Sequence, residues 1–157
     1  MTETKPWLNI VLHQPEIPGN TGAVGRTCVA LGAKLWLVRP LGFRIDEKTL
    51  RRAGLDYWQY LNWEVVDHWE HLRNRLEGHR MWMLTKTAQN SMFECEFKKG
   101  DVLVFGSETA GLPPSLLAEH SRYQLRIPTT DNVRSLNLAS SVAVSAYEAF
   151  RQIAPDL

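Results

Sequence analysis

The chain reads IPTTDNVRSLNLASSVAVSAYEAF over residues 127–150, where a polar loop runs into a helical pattern of unusually small side chains. Leu138, Val142, Ala149 and Ile153 recur at helical spacing on one face, which predicts a stripe packed against other protein. Alanine and serine fill many of the remaining positions, where a solvent-facing terminal helix would carry Lys and Glu. We therefore expect both faces of this helix to be covered.

The polar half of the stretch ends in Ser135, Leu136 and Asn137, directly before the helical pattern. Either Ser135 or Asn137 can be the N-cap, whose side chain satisfies a free amide group of the first helical turn. Both are also candidates for a binding site. The local sequence leaves these two interpretations open.

Length and composition limit the class of protein. The 157 residues predict one domain spanning 1–157, long enough to hold a hydrophobic core. A formal net charge of +1 argues against a chain coated in basic residues, but it allows a local basic patch. Two cysteines, no leader-like N-terminus and no apolar run of bilayer length predict a soluble, cytoplasmic protein without membrane association.

Short apolar runs alternate with helical patterns, which is typical of an α/β domain with a mostly parallel sheet flanked by helices. Strands are predicted at residues 8–12, 35–38, 63–66, 81–84, 102–105 and 124–127. Helices are predicted from about residue 21, at 46–53, 69–77 and 114–120, and over the terminal stretch. Gly32, Gly54 and Gly78 lie where these helices are expected to end.

The predicted strand at 102–105 runs straight into GSETAGLP at residues 106–113. Ligands bind at the carboxyl ends of strands in open α/β sheets, and glycine lets a backbone approach a ligand closely. This junction is therefore a candidate site. The chain has no G-x-G-x-x-G after its first strand and no phosphate-loop motif, so neither an ordinary dinucleotide site nor a phosphate loop is expected.

Histidines and cysteines form no recognisable motif. His68 and His71 could share a helix face, but no third ligand accompanies them in sequence, so a solvated pair is favoured and no metal is expected. Cys28 is expected to be a small core residue rather than a nucleophile.

A resemblance to one family rests on three segments in matching order and spacing: PGNTGAVGR at residues 18–26, VLVFGSETAGLP at 102–113 and IPTTDNVRSLNLASSVAVSAYEA at 127–149. They resemble the three motifs of the SPOUT-class RNA ribose methyltransferases. LRRAGLDYW at residues 50–58 is similar to the small subfamily that acts on the wobble nucleotide of leucine tRNAs. The resemblance covers almost the whole chain and implies a SPOUT fold with a deep C-terminal trefoil knot, a topology that pattern rules alone would reject.

The resemblance also implies an enzyme that moves a methyl group from S-adenosyl-L-methionine to the ribose 2′-oxygen of a wobble cytidine or modified uridine in tRNA. It assigns the methyl donor to Leu84, Thr85, Gly106, Glu108, Ile127, Ser135 and Leu136. It assigns catalysis to Arg26, Asn20, Glu108, Ser135 and Asn137.

Arg26 is the first-motif arginine, to which related enzymes give the activating role. A guanidinium stays protonated in proteins, with a pKa above about 12. Arg26 is therefore expected to grip a phosphate bidentately and to lower the cost of forming the alkoxide, rather than to accept a proton. A solvated helix arginine is the alternative.

Two partners are predicted. The small side chains over residues 139–146 predict a homodimer packed through the terminal helix and the helix after Asn20. A cluster of basic residues predicts that tRNA phosphates bind across this dimer, namely Arg39, Arg44, Arg51 and Arg52. Arg51 and Arg52 could instead complement the C-terminus of a helix.

Two other classes of function are open from the residues. One is an RNA-binding module of the same fold without catalysis, against which the complete donor pocket argues. The other is a nucleotide-binding α/β protein acting on small molecules, against which the missing phosphate-binding glycines argue. Methylation of another tRNA or rRNA ribose is a variant of the leading prediction.

Overall fold

A computed structural model describes residues 5–45 and 56–157, and its centre is a sheet of six parallel strands. The strands are β1 Leu8–His13, β2 Lys34–Val38, β3 Trp63–Val66, β4 Met81–Leu84, β5 Asp101–Phe105 and β6 Gln124–Leu125. Their order across the sheet is β3-β2-β1-β5-β4-β6. All six predicted strands are confirmed. The sixth ends two residues early, since Arg126 bonds the backbone at Asn90 and Met92 instead of continuing the ladder with β4.

Four helices and two 3₁₀ turns lie in the described part of the chain. The helices are α1 Pro18–Leu31, α2 Trp69–Arg75, α3 Pro114–Glu119 and α4 Leu138–Ile153, and the turns are Asp56–Tyr60 and Met92–Glu94. Helix α1 begins about three residues earlier than predicted, because proline is well suited to the first helical position. Gly32 caps α1 with a φ of 67°, as predicted. The predicted helix at 46–53 and Gly54 lie outside the described residues.

Successive side chains along each strand point to opposite faces of the sheet, which divides the core into two layers. Leu8, Ile10 and Leu12 face one side, where α1, α4 and the 3₁₀ turn at Asp56–Tyr60 cover them. Val11 and Val104 face the other side, which α2 and α3 cover. The sheet is thus buried on both faces, as expected for parallel strands. Only its edges and strand ends are left for a binding site.

Helix α4 packs on α1 and on the sheet through one face. Val142 and Ala149 are fully buried, which confirms the predicted stripe. Ala146 is also buried, at 1% exposure, so this part of the small-residue face contacts the chain's own core and was wrongly assigned to a second copy. Val144 and Tyr147 point outward, at 37% and 50% exposure, so this chain covers one face and the covering of the other stays a prediction.

The connection from β4 to β5 contacts both β6 and α4. Met92 donates its backbone N–H to Arg126, and Gln152 of α4 bonds the backbone of Cys95 and Phe97. Met92 and Phe97 are buried, so this polar-looking segment contributes to the core. These contacts are consistent with a knotted C-terminal region. The trefoil threading itself stays a prediction from the resemblance.

Burial raises the pKa of the Cys28 thiol to about 12, and Cys28 is 1% exposed, which confirms the prediction of a core residue. Among residues 5–45 and 56–157, every helix is too short or too polar to cross a membrane.

Candidate active site

The predicted donor residues meet at one edge of the sheet because the strands are parallel. Leu84 pairs with Phe105 on one side and with Leu125 on the other. The chain therefore leaves β4, β5 and β6 at the same edge, next to Thr85, Gly106 and Ile127. Thr85 also donates its backbone N–H to Leu125 at 2.9 Å, which holds two of these exits together.

Gly106 lies where the loop after β5 folds back on itself. A Cβ atom at this position would lie 2.1 Å from the carbonyl carbon of Gly111 and 2.3 Å from the backbone nitrogen of Leu112. Gly111 N–H donates to the Ser107 carbonyl at 3.0 Å and has a φ of 67°. The tight loop at residues 106–111 therefore requires glycine at its first position.

Glu108 ties this loop to the start of α1. One carboxylate oxygen accepts the backbone N–H of Glu16 at 2.9 Å, and the other accepts that of Ile17 at 2.6 Å. The side-chain amide of Asn20 donates to the second oxygen at 3.4 Å. A carboxylate is favourable at a helix N-terminus, and Ile17 offers no side-chain cap of its own. Glu108 is thus an acceptor with both oxygens engaged.

Asn20 and Asn137 continue this network to the third motif. The Asn137 side chain donates to the Asn20 oxygen at 3.2 Å, and its own oxygen accepts the backbone N–H of Ala139 at 2.9 Å. Asn137 is therefore the N-cap of α4, which decides between the two candidates. Glu108, Asn20 and Asn137 link segments that are far apart in sequence into one cluster, as the resemblance implied.

Ser135 and Leu136 precede this cap in an exposed loop. Leu84 and Ile127 are partly buried at the same edge. Apolar groups that retain some exposure beside a glycine loop suit a flat, neutral ring better than a phosphate.

Arg26 lies apart from the cluster. It is exposed on α1, and its guanidinium carbon is 5.8 Å from the centre of the Tyr57 ring. The Tyr57 hydroxyl donates to the Gly22 carbonyl at 2.9 Å, and burial raises its pKa against the opposing effect of Arg26. Arg26 comes six residues after Asn20, which is about 9 Å along the helix axis and on a different face. Among the described residues, the partner seen for Arg26 is the Tyr57 ring rather than another predicted catalytic residue.

The predicted basic cluster is only partly described. Arg39 is exposed and pairs with Asp67 at 2.9 Å. This ion pair joins two residues far apart in sequence, so local patterns did not predict it. Arg44 is exposed. Arg51 and Arg52 lie outside the described residues.

Two site-edge residues were missed by the sequence analysis. Glu16 accepts two hydrogen bonds from Thr109, which joins the loop after β1 to the loop after β5. Both residues lie inside or beside the recognised motifs, but no local pattern signals a contact across 93 positions.

His68 and His71 do not form the helix-face pair that was considered. His68 is the N-cap of α2, and its ring accepts the backbone N–H of His71. No group of three His, Cys, Asp or Glu side chains suited to a metal ion occurs among the residues that the structure describes.

Comparison with known proteins places this site in context. Residues 7–147 match the model of the SpoU rRNA methylase family. A tRNA (cytidine(34)-2′-O)-methyltransferase from Methylovorus glucosotrophus is 47% identical over 145 residues, with 92% of this chain and 94% of that protein covered.

Solved structures agree with the sequence comparison. A structure described in terms of 2-OH methylation of C/U34 on tRNA has a TM-score of 0.87 and 45% identity, and covers 95% of this chain and 97% of its own. The SpoU methyltransferase AviRb from Streptomyces viridochromogenes, in complex with AdoMet, has a TM-score of 0.83 and 25% identity, over 96% of this chain and 59% of that one. With a family model spanning most of its length and relatives near 45% identity, this chain belongs to the SpoU rRNA methylase family.

Proposed function

We propose that this protein transfers a methyl group from S-adenosyl-L-methionine to the ribose 2′-oxygen of nucleotide 34 in tRNA. The base is a cytidine or a modified uridine, and leucine tRNAs are the preferred substrates. The relative from Methylovorus supports the position and the reaction through its name, and the AdoMet complex of AviRb supports the donor. The preference for leucine tRNAs rests on the motif resemblance alone.

The observation that carries the proposal is the glycine loop at residues 106–111, held against α1 and α4 by Glu108, Asn20 and Asn137. The residues at this edge fit the donor, because they offer partly buried apolar side chains beside a backbone loop that Gly106 allows to fold tightly. When bound, the donor supplies an electrophilic methyl group and a neutral leaving group. Leu84, Thr85, Gly106, Ile127, Ser135 and Leu136 would hold it.

The chain's own residues orient the reaction rather than supply a strong base. Both Glu108 oxygens already accept hydrogen bonds from the backbone that leads into α1, so this carboxylate holds loops in place. The Arg26 guanidinium is exposed, so it can hold a phosphate next to the reacting ribose. Holding the reacting groups in a fixed orientation supplies a large part of the reduction of the activation barrier in many enzymes.

Two measurements test the function. Purified protein with S-adenosyl-L-methionine and total tRNA should produce a 2′-O-methylated nucleotide 34, seen by mass spectrometry of nuclease digests. Calorimetry should detect binding of S-adenosyl-homocysteine and none of NAD, as expected without a dinucleotide motif. Methylation confined to another position, or binding of NAD alone, would contradict the proposal.

A homodimer through α4 and α1 is part of the proposal. Its support is the outward strip on α4 that includes Val144 and Tyr147, which is unusually apolar for a solvent-facing helix. A second copy would also supply an Arg26 from outside the chain. In the proposed twofold arrangement each donor pocket uses the Arg26 of the partner subunit, since Arg26 and Asn20 lie on different faces of α1.

Val144→Glu is expected to give monomers in light scattering, because a carboxylate on the contact face would be buried without a partner. Ala143→Glu should act in the same direction. Ala146→Glu is unsuitable for this test, since Ala146 lies in the core. Phe93→Glu, on another exposed apolar residue, is the matched control and should leave the oligomeric state unchanged. A wild type that is monomeric at micromolar concentration would refute the dimer.

The tRNA patch is proposed for Arg39, Arg44, Arg51 and Arg52. Arg51→Ala with Arg52→Ala should weaken tRNA binding and flatten its salt dependence by about two counterions, while S-adenosyl-homocysteine binding stays unchanged. Arg73→Ala with Arg75→Ala is the control with the same charge change, because carboxylates already pair with both arginines. A wild-type salt slope in the first double variant would favour the helix-capping role for Arg51 and Arg52.

A cytoplasmic location completes the proposal and is supported by two unpaired cysteines.

A further inference from the structure

Two loops at the carboxyl edge of the sheet hold each other through a pair of carboxylates. Glu16, after β1, accepts the backbone N–H of Thr109 at 3.2 Å and its hydroxyl at 2.6 Å. Glu108, after β5, accepts the backbone N–H groups of Glu16 and Ile17. Each loop therefore binds the backbone of the other. We call these four residues the carboxylate clasp.

The half of the clasp that carries Glu16 is braced from behind. Gly42 donates its N–H to the Pro15 carbonyl at 2.9 Å, and a Cβ atom on Gly42 would lie 2.7 Å from the Cα and the carbonyl oxygen of Glu16. Gln14 has a φ of 53°, which turns the chain directly before this contact. The backbone of Glu16 is thus held by a third segment, and its carboxylate is presented from a fixed position.

The half of the clasp that carries Glu108 and Thr109 lies in a loop with little core packing. The loop at 106–111 begins and ends with glycine, which has the widest backbone freedom of any residue. The Thr109 side chain and Ala110 are exposed, so core packing does not fix this loop. Its order must come from hydrogen bonds, and the contacts to Glu16 are charge-assisted ones, the stronger kind.

The bonds from Thr109 also keep Glu16 ionised. The Thr109 hydroxyl and then its backbone N–H lower the pKa of Glu16, against a small opposing effect of desolvation. A carboxylate whose pKa is lowered on folding contributes to the stability of the folded state at neutral pH. This contribution is lost as the pH falls through the pKa of the carboxylate in the folded state. Glu16 therefore accepts these two hydrogen bonds as a carboxylate at neutral pH.

We propose that Glu16 is a positioning residue for the methyl donor, acting through Thr109 to fix the glycine loop on which Gly106 and Glu108 are carried. This inference rests on the proposed function, because it assumes that the loop lines the donor pocket. Glu16 touches neither the donor nor the RNA in this role. It sets the shape of the pocket before the donor arrives, which lowers the ordering cost of binding.

Glu16→Ala and Thr109→Val test the clasp from both sides, since the valine keeps the shape of threonine without its hydroxyl. Glu16→Ala removes both bonds from Thr109 and should raise the Kd of S-adenosyl-homocysteine and the KM of the donor by about 10-fold. Thr109→Val removes only the hydroxyl bond, so it should raise both constants by a smaller factor, about threefold. The tRNA KM should stay within about twofold, because the lost contact does not face the RNA. Thr109→Ser retains the hydroxyl and should bind the donor like the wild type.

The two variants should not be additive. Since Thr109→Val removes one of the two bonds that Glu16→Ala removes, the double variant should weaken donor binding little more than Glu16→Ala alone. Glu119→Gln, which removes a surface carboxylate on α3, is the control and should change none of these values. Additive losses, unchanged donor affinity in both single variants, or equal rises in the KM values of donor and tRNA would overturn the proposal.

A measurement without donor separates this inference from the proposed function. Hydrogen exchange of the Thr109 amide in the free protein should be about 10-fold faster in Glu16→Ala, because the amide loses its acceptor. If the wild type binds no S-adenosyl-homocysteine, the proposed function fails. If the Thr109 amide exchanges equally fast in the wild type and in Glu16→Ala, the clasp itself is refuted.

Discussion

Arg26→Ala is expected to lower kcat for methyl transfer by roughly 100- to 1,000-fold, the usual effect of removing one group that stabilises developing negative charge. The guanidinium is exposed on α1 beside Tyr57, with its planar donor groups open to a phosphate. Without it, the ribose is held less firmly and the oxygen that attacks the methyl group loses a nearby positive charge. Single-turnover kinetics at saturating donor would measure the chemical step directly.

The same variant should bind S-adenosyl-homocysteine normally and lose only a small part of its tRNA affinity. Arg26→Lys keeps the charge but not the two-point grip, so it should recover part of the rate. Arg73→Ala is the matched control, because Arg73 is an exposed arginine on α2 whose charge is paired with Glu70. A kcat within about threefold of the wild type for Arg26→Ala would contradict an activating role.

Gly106→Ala is expected to abolish donor binding within the range that calorimetry can measure. The new methyl group would lie 2.1 Å from backbone carbon of Gly111, and backbone cannot yield as a flexible side chain can. The loop at 106–111 must therefore open, which displaces Glu108 from α1. The thermal midpoint should also fall by several degrees, of the order expected when a substitution costs about 1–3 kcal/mol.

Gly19→Ala is the control for this glycine. It lies in the first turn of α1, near the same edge of the sheet, and nothing stands within 4 Å of the position that its Cβ would take. Alanine is also the better helix former, so the stability of Gly19→Ala should match or exceed that of the wild type. Normal donor affinity in Gly106→Ala would show that the glycine loop lies away from the donor.

The fold followed from local patterns because its strands are short, apolar and separated by clear turn signals. Parallel strands must place their carboxyl ends together, so the neighbourhood of Leu84, Gly106 and Ile127 could be foreseen without coordinates. The N-cap of α4 could not be chosen between Ser135 and Asn137 from the sequence, because the choice depends on which side chain reaches the backbone N–H of Ala139 once the loop is folded.

Long-range polar contacts account for what was missed. In sequence, Glu16 is one polar residue in a proline-rich loop, and only the folded structure shows that it contacts Thr109. Asp67 neutralises Arg39 from the end of a neighbouring strand. Ala146 and Val144 have the same small, apolar character in sequence, but packing on α1 buries the first and leaves the second outside.

The late position of α4 in the chain has a consequence for biosynthesis. Asn20 and the apolar face of α1 leave the ribosome before the residues of α4 that contact them, since Asn137 follows Asn20 by 117 positions. Until α4 is made, the nascent chain therefore exposes the apolar face of α1 and leaves the Asn20 side chain without Asn137. A chain that stops before α4 is expected to aggregate, because exposed apolar surface on incompletely folded proteins favours association.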